Sequence, residues 1–145
     1  MTERETENAQ KLLTGSRVFA ANSREGFASQ YPTLNQLSPD NWDSLLGIAG
    51  AGTALLMIPA RYTAPEQKEL TATVITALHA WDENAVQNLA DFINYVTTEA
   101  KDPDRVPDVI GSWVVRNLKL TESEHSAPHV LGLMLINTFG PWWDQ

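Results

Sequence analysis

The chain has 145 residues, of which 43% are hydrophobic and 19% are charged, and its formal net charge is −8. This length is typical of one domain that buries a hydrophobic core, and the composition excludes an intrinsically disordered protein. The acidic excess, with basic residues scattered along the chain, argues against direct binding to nucleic acid, whose phosphates it would repel.

Cysteine is absent from the sequence. This excludes a disulfide framework, a thiolate metal site and a cysteine nucleophile. The N-terminal sequence is polar and acidic, whereas a secretory signal begins with basic residues followed by an apolar run. We therefore expect a cytoplasmic protein.

Residues 1–37 are predicted to form a peripheral helix and a connector. Thr2 and Glu5 have the spacing of a capping box, three apolar residues follow on one side, and Gly15 is placed to end the helix. Residues 16–37 mix polar residues, glycine and proline with apolar side chains. They predict an ordered connector laid across the core.

The helical core is predicted over residues 38–143, and it opens with a clear helix start. Ser38 has the cap position, Pro39 the first helical position, and Pro59 marks the end. Residues 45–60 contain no charge, and this segment is shorter than the roughly 20 residues that cross a bilayer, so it predicts a buried central helix. Its glycines and alanines lie one turn apart, which favours close helix packing over a nucleotide-binding loop.

A second capping box, Thr63 with Glu66, predicts the next helix start. The apolar stripe that follows runs to residue 100 without glycine or proline. A single rod over residues 64–100, rising about 1.5 Å per residue, would exceed the diameter of a compact domain of this size. We therefore predict a break near residues 82–84, where polar side chains can cap a new helix.

Two more helices are predicted towards the C-terminus. One begins near Pro107, and the last spans roughly residues 129–139, with Gly140 as a left-handed cap and Pro141 as a stop signal. No long segment alternates apolar and polar residues as a strand would, and no repeat with a period of 20 to 50 residues is evident. The predicted fold class is all-α, a single compact bundle of five to six helices over residues 1–145.

The histidines are the best candidates for enzymatic chemistry. His79 and Glu83 are four residues apart, as are His125 and His129, so each pair would share one face of a continuous helix. Together they could supply three nitrogens and a carboxylate to a divalent metal. Many helical pairs have this spacing by chance, and no nucleophile or cofactor motif accompanies them. A metal-dependent enzyme is therefore the alternative, and no catalytic residue or cofactor is predicted.

The tryptophans point to packing and to partner binding. Trp42, Trp81 and Trp113 lie on predicted apolar stripes, so we expect them in the core. Trp142 and Trp143 are adjacent and follow the last helix. Either this tail folds back onto the domain, or one of its rings is available to a partner.

These features together predict a small protein-binding or regulatory module, which acts on a protein partner or forms a homodimer. Residues 82–108 carry seven carboxylates and only two basic side chains, so this stretch is either a solvated face or a surface for a basic partner. A second alternative is a membrane-associated protein, in which residues 45–60 and 127–143 face lipid.

Overall fold

A computed structural model of the chain describes residues 3–30, 39–118 and 127–144. Its α-helices are α1 Glu3–Gln30, α2 Pro39–Leu56, α3 Ala64–Trp81, α4 Glu83–Glu99, α5 Val106–Leu118 and α6 Ala127–Phe139. Short 3-10 helices precede α5 at Pro103–Arg105 and follow α6 at Gly140–Asp144. No strand occurs within these ranges, and the predicted all-α bundle of five to six helices is confirmed.

Helix α2 is the centre of the bundle, because α1, α4, α5 and α6 all pack on it. Its glycines leave room for aromatic rings from other helices. A Cβ at Gly50 would lie 2.8 Å from the ring of Phe139, and a Cβ at Gly52 would overlap the ring of Phe92. The predictions of a central buried helix, and of its glycines as packing positions, are confirmed.

The remaining helices form an open ring around α2. Helix α1 packs on α3, α3 on α4, α4 on α5 and α5 on α6. The C-terminal 3-10 helix lies between the two ends of this series, since it contacts α1, α2 and α6. The bundle therefore has a seam between its first and last helices.

Helix α1 corrects the prediction for the N-terminal part of the chain. It continues over 28 residues, so Gly15 does not end it, and Leu12, Ala20 and Phe27 are buried in the core. The ring of Trp142 lies against the helix at Gly15, where a Cβ would come within 2.6 Å of it. This glycine provides space for packing, and tertiary contacts outweigh its weak helix propensity. A peripheral helix with a connector was therefore wrong for residues 3–30.

The helix starts and the predicted break are set by local hydrogen bonds. Thr63 and Glu66 form the predicted capping box, and the backbone N–H of Thr63, with its side chain, holds the pKa of Glu66 below its usual value. The backbone of Asp82 is extended, and its N–H donates to the carbonyl of Leu78. Its side chain accepts from the backbone N–H of Asn84 and caps α4. Thr2, residues 31–37 and Ser38 lie outside the described ranges.

Helices α5 and α6 make the most extensive helix contact among the described residues. A Cβ at Gly111 would overlap the carbonyl of Pro128, and a Cβ at Gly132 would overlap the carbonyl of Pro107. The contact is reciprocal because both helices begin with the pattern Pro-x-Val-x-Gly. The two segments share only proline, valine and glycine over five residues, whereas the predicted absence of a repeat with a period of 20 to 50 residues concerns longer repeating units.

The C-terminal tail differs from the predicted stop. Gly140 does not adopt a left-handed conformation, and it continues with Pro141 into the 3-10 helix. The indole N–H of Trp142 donates to the carbonyl of Asn8 at 2.9 Å, and that of Trp143 donates to the carbonyl of Ala54 at 2.7 Å. The left-handed cap was wrong because the 3-10 turn is the conformation that carries both indoles back to α1 and α2.

Candidate functional site

The seam between α1 and α6 contains an apolar groove of about 310 Å³. We call it the seam groove, and it is lined by Ser23, Gly26 and Phe27 of α1 and by Val130 and Met134 of α6. None of these five side chains carries a charge. Its volume is at the lower end of the range for small-molecule pockets, and a groove of this size accommodates a few apolar side chains.

Aromatic packing gives the seam groove a firm floor. The ring of Phe27 packs on Trp42 of α2 with the centroids 5.5 Å apart. Trp42 is buried, and its indole N–H donates to the carbonyl of Ala20 at 2.9 Å, so its polar atom is satisfied. The groove is therefore part of a rigid, hydrogen-bonded core.

A second aromatic cluster closes the other part of the seam. Phe19 of α1 and Phe139 of α6 meet edge to face, with ring centroids 5.4 Å apart, and Phe139 also lies 6.1 Å from Trp142. Phe19 precedes the groove-lining residues of α1, and Phe139 follows those of α6. The aromatic rings thus fill the seam on that side and leave the groove as its open part.

Leu133 of helix α6 extends the apolar surface beyond the groove. The sequence of this helix contains no Asp, Glu, Lys or Arg. Leu133 is 38% exposed, and it lies beside Met134 and one turn from Val130. A single exposed apolar side chain is ordinary on a protein surface, but here it is continuous with an uncharged groove.

A second feature joins the first turns of α5 and α6. His129 Nδ1 donates to Asp108 Oδ1 over 2.6 Å, and the two side chains are 57% and 40% exposed. The two residues occupy equivalent positions in the Pro-x-Val-x-Gly segments. The carboxylate orients the imidazole through Nδ1, so Nε2 takes no part in this hydrogen bond. Sequence reasoning missed this pair, because only the packing of the two helices brings its members together.

The predicted metal ligands are distributed over several helices. His79 is exposed near the end of α3, and Glu83 is exposed in the first turn of α4, beyond the break at Asp82. Across the described ranges there is no group of three or more His, Cys, Asp or Glu side chains that could hold a metal ion. His125 lies outside those ranges, so a site built from His79, Glu83, His125 and His129 stays a prediction.

The tryptophan side chains pack mainly within the bundle. Trp42 and Trp113 are buried as predicted, whereas Trp81 is half-buried beneath the guanidinium of Arg17, which lies 4.6 Å from the ring centroid. Trp143 is buried and Trp142 is half-buried, so the structure supports the interpretation in which the tail folds back. Their direct contact with a partner stays a prediction.

Among the helices that the structure describes, none combines the length and the apolar character that crossing a bilayer requires. Comparison with known proteins identified no family model, no curated protein and no solved structure that matches this chain.

Proposed function

We propose that this protein is a protein-binding module that docks through the seam groove and the outer face of α6, and that its partner is a second copy of the same chain. The observation that carries the proposal is an apolar, uncharged groove on the surface of a chain whose net charge is −8.

Charge restricts where two copies can meet. Two strongly acidic molecules repel each other in most orientations, and like charges brought together across an interface are costly. The seam groove and α6 contribute no carboxylate to such a contact. Two copies that meet through this face therefore bring fewer like charges together than copies that meet through an acidic face.

The residue types at the seam also suit an interface. Charged residues are depleted in the buried centres of protein interfaces, whereas methionine and aromatic residues are enriched. Met134 lines the groove, and Leu133 projects beside it. In a two-fold arrangement, Leu133 of each copy can enter the groove of the other, so one contact is made twice.

The test is the mass of the protein in solution, measured by light scattering during gel filtration over a range of concentrations. We expect the unchanged chain to approach the mass of a dimer as its concentration rises. Leu133→Glu places a carboxylate at the centre of the contact, and it should yield a monomer with unchanged helicity.

Ile75→Glu is the matched control, because Ile75 on α3 is 36% exposed and Leu133 is 38% exposed. This variant should associate as the unchanged chain does. A chain that is monomeric at every concentration would overturn the proposal, and so would equal dissociation by the two variants, since the effect would then come from added charge alone.

A further inference from the structure

A polar cavity of about 230 Å³, open to solvent, lies between α4 and α5, apart from the seam, and Asp91, Arg116 and Asn117 are exposed at it. Asp91 and Tyr95 line it from α4, and Trp113, Arg116 and Asn117 line it from α5. The cavity thus contains one negative charge, one positive charge, two aromatic rings and an amide. Polar groups that converge on a concave site are typical of ligand binding.

The floor of the cavity is rigid. Trp113 is 2% exposed, and its ring meets Phe92 edge to face with centroids 5.1 Å apart. Its indole N–H donates to Oδ2 of Asp91 at 2.9 Å. This bond orients the carboxylate, and no other described residue donates a hydrogen bond to Asp91, so Oδ1 can accept from a ligand.

Asn117 provides a second acceptor. Its Nδ2 donates to the backbone carbonyl of Trp113 at 2.7 Å. This bond assigns the amide nitrogen to the backbone and leaves Oδ1 as an acceptor at the cavity. Two oxygens, one of them charged, are therefore available to an ammonium group.

Arg116 supplies the positive end of the cavity. Its guanidinium carbon lies 5.2 Å from the ring centroid of Tyr95, and contact with Tyr95 raises its pKa further above the usual value. Arg116 forms no ion pair with a carboxylate among the described residues. Its planar guanidinium can bind a carboxylate through two parallel hydrogen bonds.

The cavity therefore presents Asp91 and Arg116 to the same small space without pairing them with each other. We propose that it binds a small zwitterion of the α-amino acid type, with the ammonium group held by Asp91 and Asn117 and the carboxylate held by Arg116. A volume below the usual 300 Å³ of drug-sized pockets restricts the ligand to one with a short side chain.

Calorimetric titration of the full chain tests this site. We expect glycine, alanine and serine to bind with a saturable heat at one site per chain. Acetate and methylammonium each supply only one of the two charges, so we expect each to bind at least about tenfold more weakly. No saturable heat with any of the three amino acids, or acetate binding as well as glycine does, would overturn the proposal.

Variants separate recognition from folding. Asp91→Asn keeps an oxygen that can accept from Trp113 but removes the charge, and Arg116→Gln removes the cation. Each should weaken the binding of glycine at least about tenfold while the thermal unfolding curve changes little.

Matched controls are Asp104→Asn and Arg105→Gln, which make the same changes on exposed residues of the neighbouring 3-10 helix, outside the cavity. These variants should bind glycine as the unchanged chain does. Equal affinities in the cavity variants and the controls would show that the bound amino acid does not contact Asp91 and Arg116.

Discussion

Helices α5 and α6 begin with the same sequence pattern but present opposite surfaces. Trp113 of α5 fills the space against α4 and hydrogen bonds to Asp91, at the floor of a charged cavity. Met134 has the equivalent position in α6, and it lines an uncharged groove against α1. The two helices therefore have the same residue pattern at their contact with each other and differ in the chemistry of the site that each lines on its other side.

This difference shows that separate residues of the same turns determine packing and surface chemistry. The shared glycines and prolines lie at the contact between the two helices, where the backbones touch. The side chains that diverge point towards α4 in one helix and towards the seam in the other. The contact between α5 and α6 should therefore be unaffected by substitutions on the sides of these helices that face α4 or the seam. The following substitutions test whether the two sets of residues act independently.

The largest effect is expected at the shared contact. Gly111→Ala and Gly132→Ala would each place a Cβ on the backbone of a proline in the opposite helix. Backbone atoms cannot rotate aside as a flexible side chain can, so each variant should lower the free energy of unfolding by about 3 kcal/mol. Chemical denaturation followed by circular dichroism measures this loss.

Gly26→Ala is the control for that experiment, because a Cβ at Gly26 meets nothing within 4 Å. In this exposed helical position, alanine should stabilise the protein by about 0.5 to 1 kcal/mol. A similar gain in Gly111→Ala would contradict the close backbone contact, and a loss in only one of the two contact variants would contradict its reciprocity.

A smaller effect is expected where the helices diverge. Trp113→Met gives α5 the side chain that α6 has at the equivalent position. It removes the hydrogen bond to Asp91 and the edge-to-face contact with Phe92, so it should cost about 2 kcal/mol of unfolding free energy. Met134→Leu conserves volume at the equivalent position and should cost less than about 1 kcal/mol. Equal losses in denaturation would contradict the contribution of the Trp113 contacts to stability.

The smallest effect is expected for the Asp108–His129 pair. Both side chains are more than one-third exposed, so solvent and salt screen their interaction. Asp108→Asn should change the free energy of unfolding by no more than about 1 kcal/mol, and less in high salt than in low salt. A larger loss that persists in high salt would show that this pair helps to hold the two helices together.

Local sequence patterns were sufficient to predict much of the fold. The capping box at Thr63 and Glu66 and the break at Asp82 depend on hydrogen bonds between residues a few positions apart, and the sequence predicts both. Helix α1 was mispredicted because Gly15 resembles a stop signal until Trp142, from the other end of the chain, is placed against it.

The candidate sites could be predicted only in part. The tryptophan pair of the tail was predicted to fold back or to meet a partner, and the structure shows it folded back. The seam groove and the α4–α5 cavity were not anticipated. Each joins side chains from two helices, and no spacing within a single helix signals which helices become neighbours.

Periodicity and capping act over a few residues, so they were sufficient to predict the all-α class, the buried α2 and the helix boundaries around Asp82. The packing of the helices against one another sets which glycines are contact points and where the ring of helices remains open. The same packing brings Asp91 and Arg116 to one cavity. All of these features depend on contacts between residues that are distant in the chain, which local patterns do not encode.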